Sequence, residues 1–155
     1  KVHPLFMRIE LYFHTFPNLE LLEKGIHADI IRLFGRVQFK VKENWSESYN
    51  AIVDTGAPFS LLPLEIWQEA EIEILTDTVV RGLVPKKQCV LPVKVGKTTI
   101  RLIDEEEHVS NPLMVKAYLA PHNRVPLIIG FQDFLSKMRI LFSYQERIAY
   151  AEEIG

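Results

Sequence analysis

The tetrapeptide Asp54-Thr55-Gly56-Ala57 is the most informative part of this sequence for both its fold and its function. It follows the apolar run Ala51-Ile52-Val53 and precedes Pro58, so the sequence places an acid in a turn at the end of a buried strand. A carboxylate there loses solvation, which is costly unless it is hydrogen-bonded or shares a proton. Thr55 offers a hydroxyl beside it, and Gly56 lets a second backbone come close. We therefore expect a functional site at Asp54; the alternative is an acid that caps its own turn.

A second motif, Ile128-Ile129-Gly130, runs into Phe131-Gln132-Asp133-Phe134-Leu135. Pepsin-like and retroviral proteases carry two apolar residues, a glycine and a short helix in the same order after their catalytic motif. Through these two motifs, residues 36–151 resemble the retropepsin-like aspartic proteases. The resemblance implies a mainly β fold, with a single acid-protease β-barrel domain and short helices over residues 36–155. Residues 1–35 would form an N-terminal extension.

The resemblance also implies a homodimer. An aspartic protease needs two neighbouring carboxylates that share one proton, because two such charges cannot both ionise at close range. This chain has one Asp-Thr-Gly, so Asp54 from each of two copies would meet at a twofold axis. In this family the threonine hydroxyls bond across the axis, and the glycine backbone contacts substrate. The candidate catalytic residues are Asp54, Thr55 and Gly56, and the expected substrate is a peptide or protein.

A hairpin predicted over residues 78–95 corresponds in position to the flap that closes over substrate in this family. Gly82 would give it flexibility. The alternative is a plain surface hairpin. Ile128 and Phe59 are candidates to line an apolar peptide channel, and both could equally be core residues. The predicted substrate-binding residues are Ala57, Gly82, Leu83, Val84 and Ile128.

Two positions depart from the retroviral pattern. Retroviral members carry an acid where Pro58 stands and an arginine where Phe131 stands, and these side chains form an ion pair near the dimer contact. Both partners are missing here, which favours an apolar replacement, since the loss of one partner alone would leave a buried charge unpaired. The departure places the chain nearer the cellular and microbial branch than the viral one.

Composition excludes several other classes of function. A net charge of −2 gives no reason to expect nucleic acid or an anionic membrane as a partner. No apolar run approaches the roughly 20 residues that span a bilayer. The single Cys89 excludes an internal disulfide framework, and the five histidines show no metal-ligand spacing. We therefore expect no metal and no cofactor.

A homodimeric aspartic endopeptidase is the function that these features favour. The alternative is a catalytically weak or self-inhibited module with the protease fold, which binds peptides or mediates dimerisation. A small-molecule binder built on an unrelated β-barrel is the third hypothesis. Oligomeric state separates the first two, because a monomer cannot assemble two Asp54 carboxylates.

Apolar periodicity predicts the remaining elements. Leu22, Ile26, Ile30 and Leu33 recur at helical spacing after a possible cap at Asn18, although a strand over residues 28–34 is also compatible with the sequence. We expect a tight turn at Gly96-Lys97 and a solvated acidic loop at 104–107. The other predicted elements are strands at 5–13, 98–103 and 113–119, hairpins at 37–53 and 139–151, and helices at 63–70 and 131–138.

Overall fold

The computed structural model describes residues 7–81 and 90–153, and within them the chain is mainly β, as predicted. Alternation of apolar and polar residues produces most strands: Val37 and Phe39 are buried while Arg36 and Gln38 between them are not. The strands are β1 (Arg8–Glu10), β2 (Tyr12–Pro17), β3 (Asp29–Val41), β4 (Asn44–Trp45), β5 (Tyr49–Val53), β6 (Ser60–Leu62), β7 (Ile72–Arg81), β8 (Val90–Ile103), β9 (Leu113–Leu119), β10 (Ile128–Ile129), β11 (Met138–Ser143) and β12 (Ile148–Glu153). The helices are α1 (Leu19–Glu23), α2 (Leu64–Glu69) and a 3-10 turn, Leu135–Lys137.

The larger of two sheets forms a ring of strands around the core. Its order is β2-β3-β5-β10-β6-β9-β8-β7, and a further pairing of β3 with β8 closes six of these strands on themselves. Strand β10 lies parallel to β5 and antiparallel to β6, so it joins the strands on either side of Asp54. The ring encloses fully buried side chains that include Val37, Phe39, Ile100, Val115, Leu119 and Ile129.

The N-terminal segment is integrated into both sheets. Strand β1 pairs with β12, and β12 with β11, in a three-stranded sheet that we call the terminal sheet. Strand β2 pairs with β3, which runs from Asp29 to Val41 and so crosses the expected boundary after residue 35. Ile9 and Leu11 of this segment are buried in the same core as the ring.

Helix α1 is much shorter than the predicted helix, which was wrong beyond Glu23. Asn18 caps it as expected, accepting the Leu21 N–H. Gly25 then adopts a φ of +77°, and the Ile26 N–H bonds back to the Leu21 carbonyl. This is the Schellman end of a helix, which needs a residue tolerant of the left-handed region. Ile30 and Leu33 therefore lie on β3, and the strand alternative is confirmed.

The predicted turn at Gly96-Lys97 is also wrong, because β8 runs unbroken from Val90 to Ile103. A Cβ atom at Gly96 would lie 2.6 Å from Leu119 Cδ1 and 3.0 Å from Ile72 Cγ2. The glycine thus allows close packing of β7 and β9 side chains onto β8, where the chain needs no change of direction. The hairpins at 37–53 and 139–151, strand 113–119 and helix 63–70 are confirmed, whereas the helix at 131–138 is reduced to the 3-10 turn. The strand pairing expected for the hairpin at 78–95 is also confirmed, and its connection at 82–89 lies outside the described residues.

Only part of the acidic run at 104–107 is a solvated loop. Glu105, Glu106 and Glu107 are exposed, but Asp104 is 4% exposed. Its carboxylate accepts hydrogen bonds from the Glu10 N–H at 3.1 Å and from the His108 N–H and ring Nδ1, both at 3.0 Å. Burial opposes ionisation, yet these hydrogen bonds and the His108 charge hold the pKa of Asp104 below its usual value. One acid thus fastens β1 to the end of β8.

Gly96→Ala should lower the free energy of unfolding by about 1–3 kcal/mol, because the new methyl group overpacks a buried contact with Leu119. Urea denaturation measures the change. Lys97→Ala on the next, half-buried position is the control and should stay within about 0.5 kcal/mol of the native chain. Equal effects from the two substitutions would contradict the packing role of Gly96.

Asp104→Asn should destabilise the chain by about 1–3 kcal/mol at neutral pH, since the buried donors lose a charged acceptor. The pKa of Asp104 is lower in the folded chain than in the unfolded chain. The ionised carboxylate therefore adds to the free energy of unfolding at pH values above the ordinary aspartate pKa of about 3.9, and this contribution is lost as the pH falls through the lower folded-state pKa. Denaturation curves of the two chains should therefore converge once the pH falls below the folded-state pKa of Asp104. Glu105→Gln, an exposed change in the same loop, should have little effect at any pH.

Candidate active site

Asp54 stands at the end of β5, where a tight set of backbone contacts fixes it. Its N–H donates to the Ile129 carbonyl at 3.0 Å, which extends the β5–β10 pairing by one residue. Its Oδ1 accepts the Gly56 N–H at 2.9 Å, and its carbonyl accepts the Ala57 N–H at 3.1 Å. The carboxylate is therefore oriented by its own turn, which we call the Asp54 loop (residues 54–59).

Gly130 packs directly against the backbone of the Asp54 loop. A Cβ atom there would lie 2.5 Å from the Phe59 carbonyl oxygen and 2.7 Å from that of Ala57, so no side chain fits. The next two residues continue the contact: the Phe131 N–H donates to the Ala57 carbonyl and the Gln132 N–H to that of Pro58, both at 2.9 Å. The two motifs that the sequence singled out thus form one structural unit.

Sequence reasoning missed Ser60, which completes this unit. Its side chain is fully buried, and its hydroxyl oxygen accepts the Gly130 N–H at 3.0 Å. Without that acceptor the Gly130 N–H would be buried and unsatisfied. A polar residue opening the apolar strand Ser60-Leu61-Leu62 is the signal that could have identified it.

Asp133 is a second residue that the sequence did not single out. It has a φ of +62°, and its carboxylate accepts from the Lys116 backbone N–H at 3.0 Å and pairs with the Lys116 ammonium at 2.8 Å. Burial opposes ionisation, but these bonds and one from Gln132 hold the pKa of Asp133 below its usual range. Asp133 thereby ties the turn after Gly130 to β9.

The Asp54 loop lies at the surface of the single chain. Asp54 is half-buried, whereas Thr55, Gly56 and Pro58 are exposed. Phe131, which stands beside them, is 43% exposed although it is a large apolar side chain. An open cavity of about 580 Å³ adjoins this face, lined by Gly56, Ala57, Pro58, Phe131, Gln132 and Ser136.

A second cavity, of about 370 Å³, lies along β6 and β10 next to the Asp54 loop. Ile128 lines it: the neighbouring Leu127 and Ile129 are buried in the core, while Ile128 is half-buried. Ile128, one of the predicted substrate-binding residues, thus forms part of the wall of this cavity. Phe59 stacks on Tyr118 with ring centroids 4.7 Å apart. We call this cavity the Arg124 cleft, and its lining in the described part of the chain is Leu61, Leu91, His122, Arg124, Val125, Pro126 and Ile128.

The predicted flap residues Gly82, Leu83 and Val84 lie outside the described residues. The two strands that lead to them are described, and β7 pairs with β8 up to Arg81 and Val90.

Over residues 7–81 and 90–153, no helix has the length and apolar character needed to cross a membrane. In the same stretches, His, Cys, Asp and Glu side chains form no group of three that could hold a metal ion.

No protein-family model matches this chain, and no curated protein matches it.

Gly130→Ala should cost about 3 kcal/mol of stability, because a methyl group would collide with two backbone carbonyls that cannot turn aside. Gly56→Ala is the matched control. Its Cβ would meet only Asp54 Oδ1, at 3.2 Å, on an exposed turn, so stability should change by about 1 kcal/mol or less. Thermal denaturation distinguishes the two, and a stable Gly130→Ala chain would contradict the packing described here.

Proposed function

We propose that this chain is a retropepsin-like aspartic endopeptidase that acts as a homodimer. The observation that carries the proposal is the close packing of Gly130 on the Asp54 loop, which joins the Asp-Thr-Gly and Ile-Ile-Gly motifs and fixes the catalytic carboxylate. A plain turn that caps itself would need the Gly56 bond to Asp54 Oδ1 but not the contacts from β10 and Ser60.

The second carboxylate would come from a second copy of the chain. Among the described side chains, none is hydrogen-bonded to the Asp54 carboxylate, and neither neighbouring cavity is lined by another acid. The Thr55 hydroxyl likewise has no hydrogen-bond partner in the described part of its own chain. A twofold axis next to Asp54 would supply both partners at once.

The exposed face around Asp54 has the composition of a contact surface. Pro58 and Phe131 are exposed and apolar at the positions where the viral enzymes carry an ion pair. In the homodimer these residues would be buried against the partner, and their burial would stabilise the dimer through apolar area. An apolar pair also avoids the cost of desolvating two charges.

Catalysis would follow from the shared proton of the two Asp54 carboxyl groups. The ionised carboxylate takes a proton from a water held between them, and that water attacks the scissile carbonyl carbon. The protonated carboxyl donates its hydrogen to the carbonyl oxygen, so the tetrahedral intermediate carries no negative charge. Proton transfer to the amide nitrogen then releases the two products, with no covalent bond to the enzyme. The Gly56 N–H holds one carboxylate oxygen in place during these transfers.

Asp54→Asn should abolish cleavage of an unstructured protein such as casein, lowering the rate by about 10²- to 10⁴-fold, because the general acid and base are both lost. The assay covers about pH 3 to 8, since the shared proton sets the active range. Asp29→Asn, which neutralises an exposed acid at the start of β3, is the control and should retain activity. Absence of cleavage by the native chain at every pH would favour the peptide-binding alternative.

Phe131→Glu should convert the dimer to monomers and remove activity, because it would place two charges in an apolar contact. Sedimentation velocity measures the oligomeric state, and circular dichroism checks that the variant is folded. Met114→Glu is the matched control, since Met114 is also large, apolar and 55% exposed but lies on β9. A Phe131→Glu chain that still forms the dimer would contradict the assignment of this face.

A further inference from the structure

We propose that the Arg124 cleft selects peptides in which an apolar side chain lies two positions from an acidic one. The inference rests on the proposed function, in that it assigns the substrate class of the same site. The apolar part of the cleft would hold the first side chain, and the Arg124 guanidinium would bind the carboxylate of the second.

The cleft lies close to Asp54 along the sheet. Ile128, in its wall, is paired with Ile52 on β5 and with Leu61 on β6, and Asp54 is two residues beyond Ile52. Its volume of about 370 Å³ is within the range of pockets that bind ligands. Five of the seven described residues that line it are apolar: Leu61, Leu91, Val125, Pro126 and Ile128.

The loop that carries Arg124 is anchored to the start of α2. The His122 carbonyl accepts the Leu64 N–H at 3.2 Å, and the Asn123 side-chain oxygen accepts the Glu65 N–H at 2.7 Å. The Arg124 N–H itself donates to His122 Nδ1 at 3.2 Å. Because these bonds hold the loop before any peptide arrives, little further ordering is needed on binding.

Arg124 is the charged residue in the described lining of this cleft, and no aspartate or glutamate forms an ion pair with it. All 20 aspartate and glutamate residues lie within residues 7–81 and 90–153. The ion pairs formed there use Arg8, Lys94, Lys97, His108 and Lys116 as the cations. An exposed guanidinium at the rim of an apolar cleft is complementary to a peptide carboxylate, which it can bind through two N–H groups.

The separation of two positions between the apolar and the acidic side chain follows from the geometry of an extended peptide. Alternate side chains lie on the same face of such a peptide, so a residue two positions from the buried apolar one can face the same rim. Neighbouring positions face the opposite side. A glutamate there should therefore be recognised, whereas the uncharged glutamine of the same shape should not.

Peptide binding to the Asp54→Asn chain tests the inference without relying on catalysis. Two fluorescent peptides carry a central leucine, with either glutamate or glutamine at the positions two residues before and after it. At about pH 6, where glutamate is ionised, the glutamate peptide should bind about fivefold more tightly. Arg124→Gln should remove the difference and Arg124→Glu should reverse it. The control is Arg32→Gln, which removes an exposed charge from β3 and should preserve the difference.

Equal binding of the two peptides by the parent chain, a preference that survives Arg124→Gln, or no binding of either peptide would each overturn the inference. The proposed function is judged separately, by cleavage of casein by the chain that retains Asp54. Cleavage without a glutamate preference would thus reject the substrate class alone, and a preference without cleavage would reject the enzyme alone.

Discussion

The contact between Gly130 and the backbone of the Asp54 loop is the constraint on which the rest of the site depends. Two carbonyl oxygens lie 2.5 and 2.7 Å from where a Cβ would be, so the two segments touch at the limit of atomic size. Hydrogen bonds on either side of this contact, from Asp54 to Ile129 and from Phe131 to Ala57, then fix the position of the carboxylate. An acid placed in this way is oriented by backbone geometry and not by a flexible side-chain network.

The ring of strands explains how so short a contact can be maintained. Strand β10 has only two residues, but it is paired on both sides, with β5 and β6. Outside the ring, Asp133 ties the following turn to β9 through Lys116. Pairing with β5 and β6 and the contact of Asp133 with β9 thus hold the segment that packs on the Asp54 loop, and the outer side of that loop is exposed.

The sequence predicted those parts of the structure that depend on neighbouring residues. Asp54 at a strand end and the glycine after Ile128-Ile129 were recognised because each motif is contiguous. Ser60, Asp104 and Asp133 were missed as contributors, because their roles depend on partners that are distant in sequence, such as Gly130, Glu10 and Lys116. Composition alone predicts exposure for such polar residues.

Two wrong predictions have the same physical origin. Ile30 and Leu33 fit a helical repeat, but Gly25 ends the helix and pairing with β2 places both residues on a strand. Gly96 has the composition of a turn, yet it is buried under Leu119 and Ile72 in the middle of a long strand. Local propensity was overridden in both places by long-range pairing.

If one active site is built from two Asp54 carboxylates, as we propose, mixing native and Asp54→Asn subunits should lower the activity more than simple dilution does. The native chain is refolded together with an equal amount of Asp54→Asn chain, so that the subunits distribute at random between dimers. If both carboxylates are needed, about one quarter of the dimers carry two native chains, and activity should fall to about one quarter of that of an all-native sample at the same total concentration. Activity of about one half would mean that each chain works alone and would contradict an active site shared between two subunits.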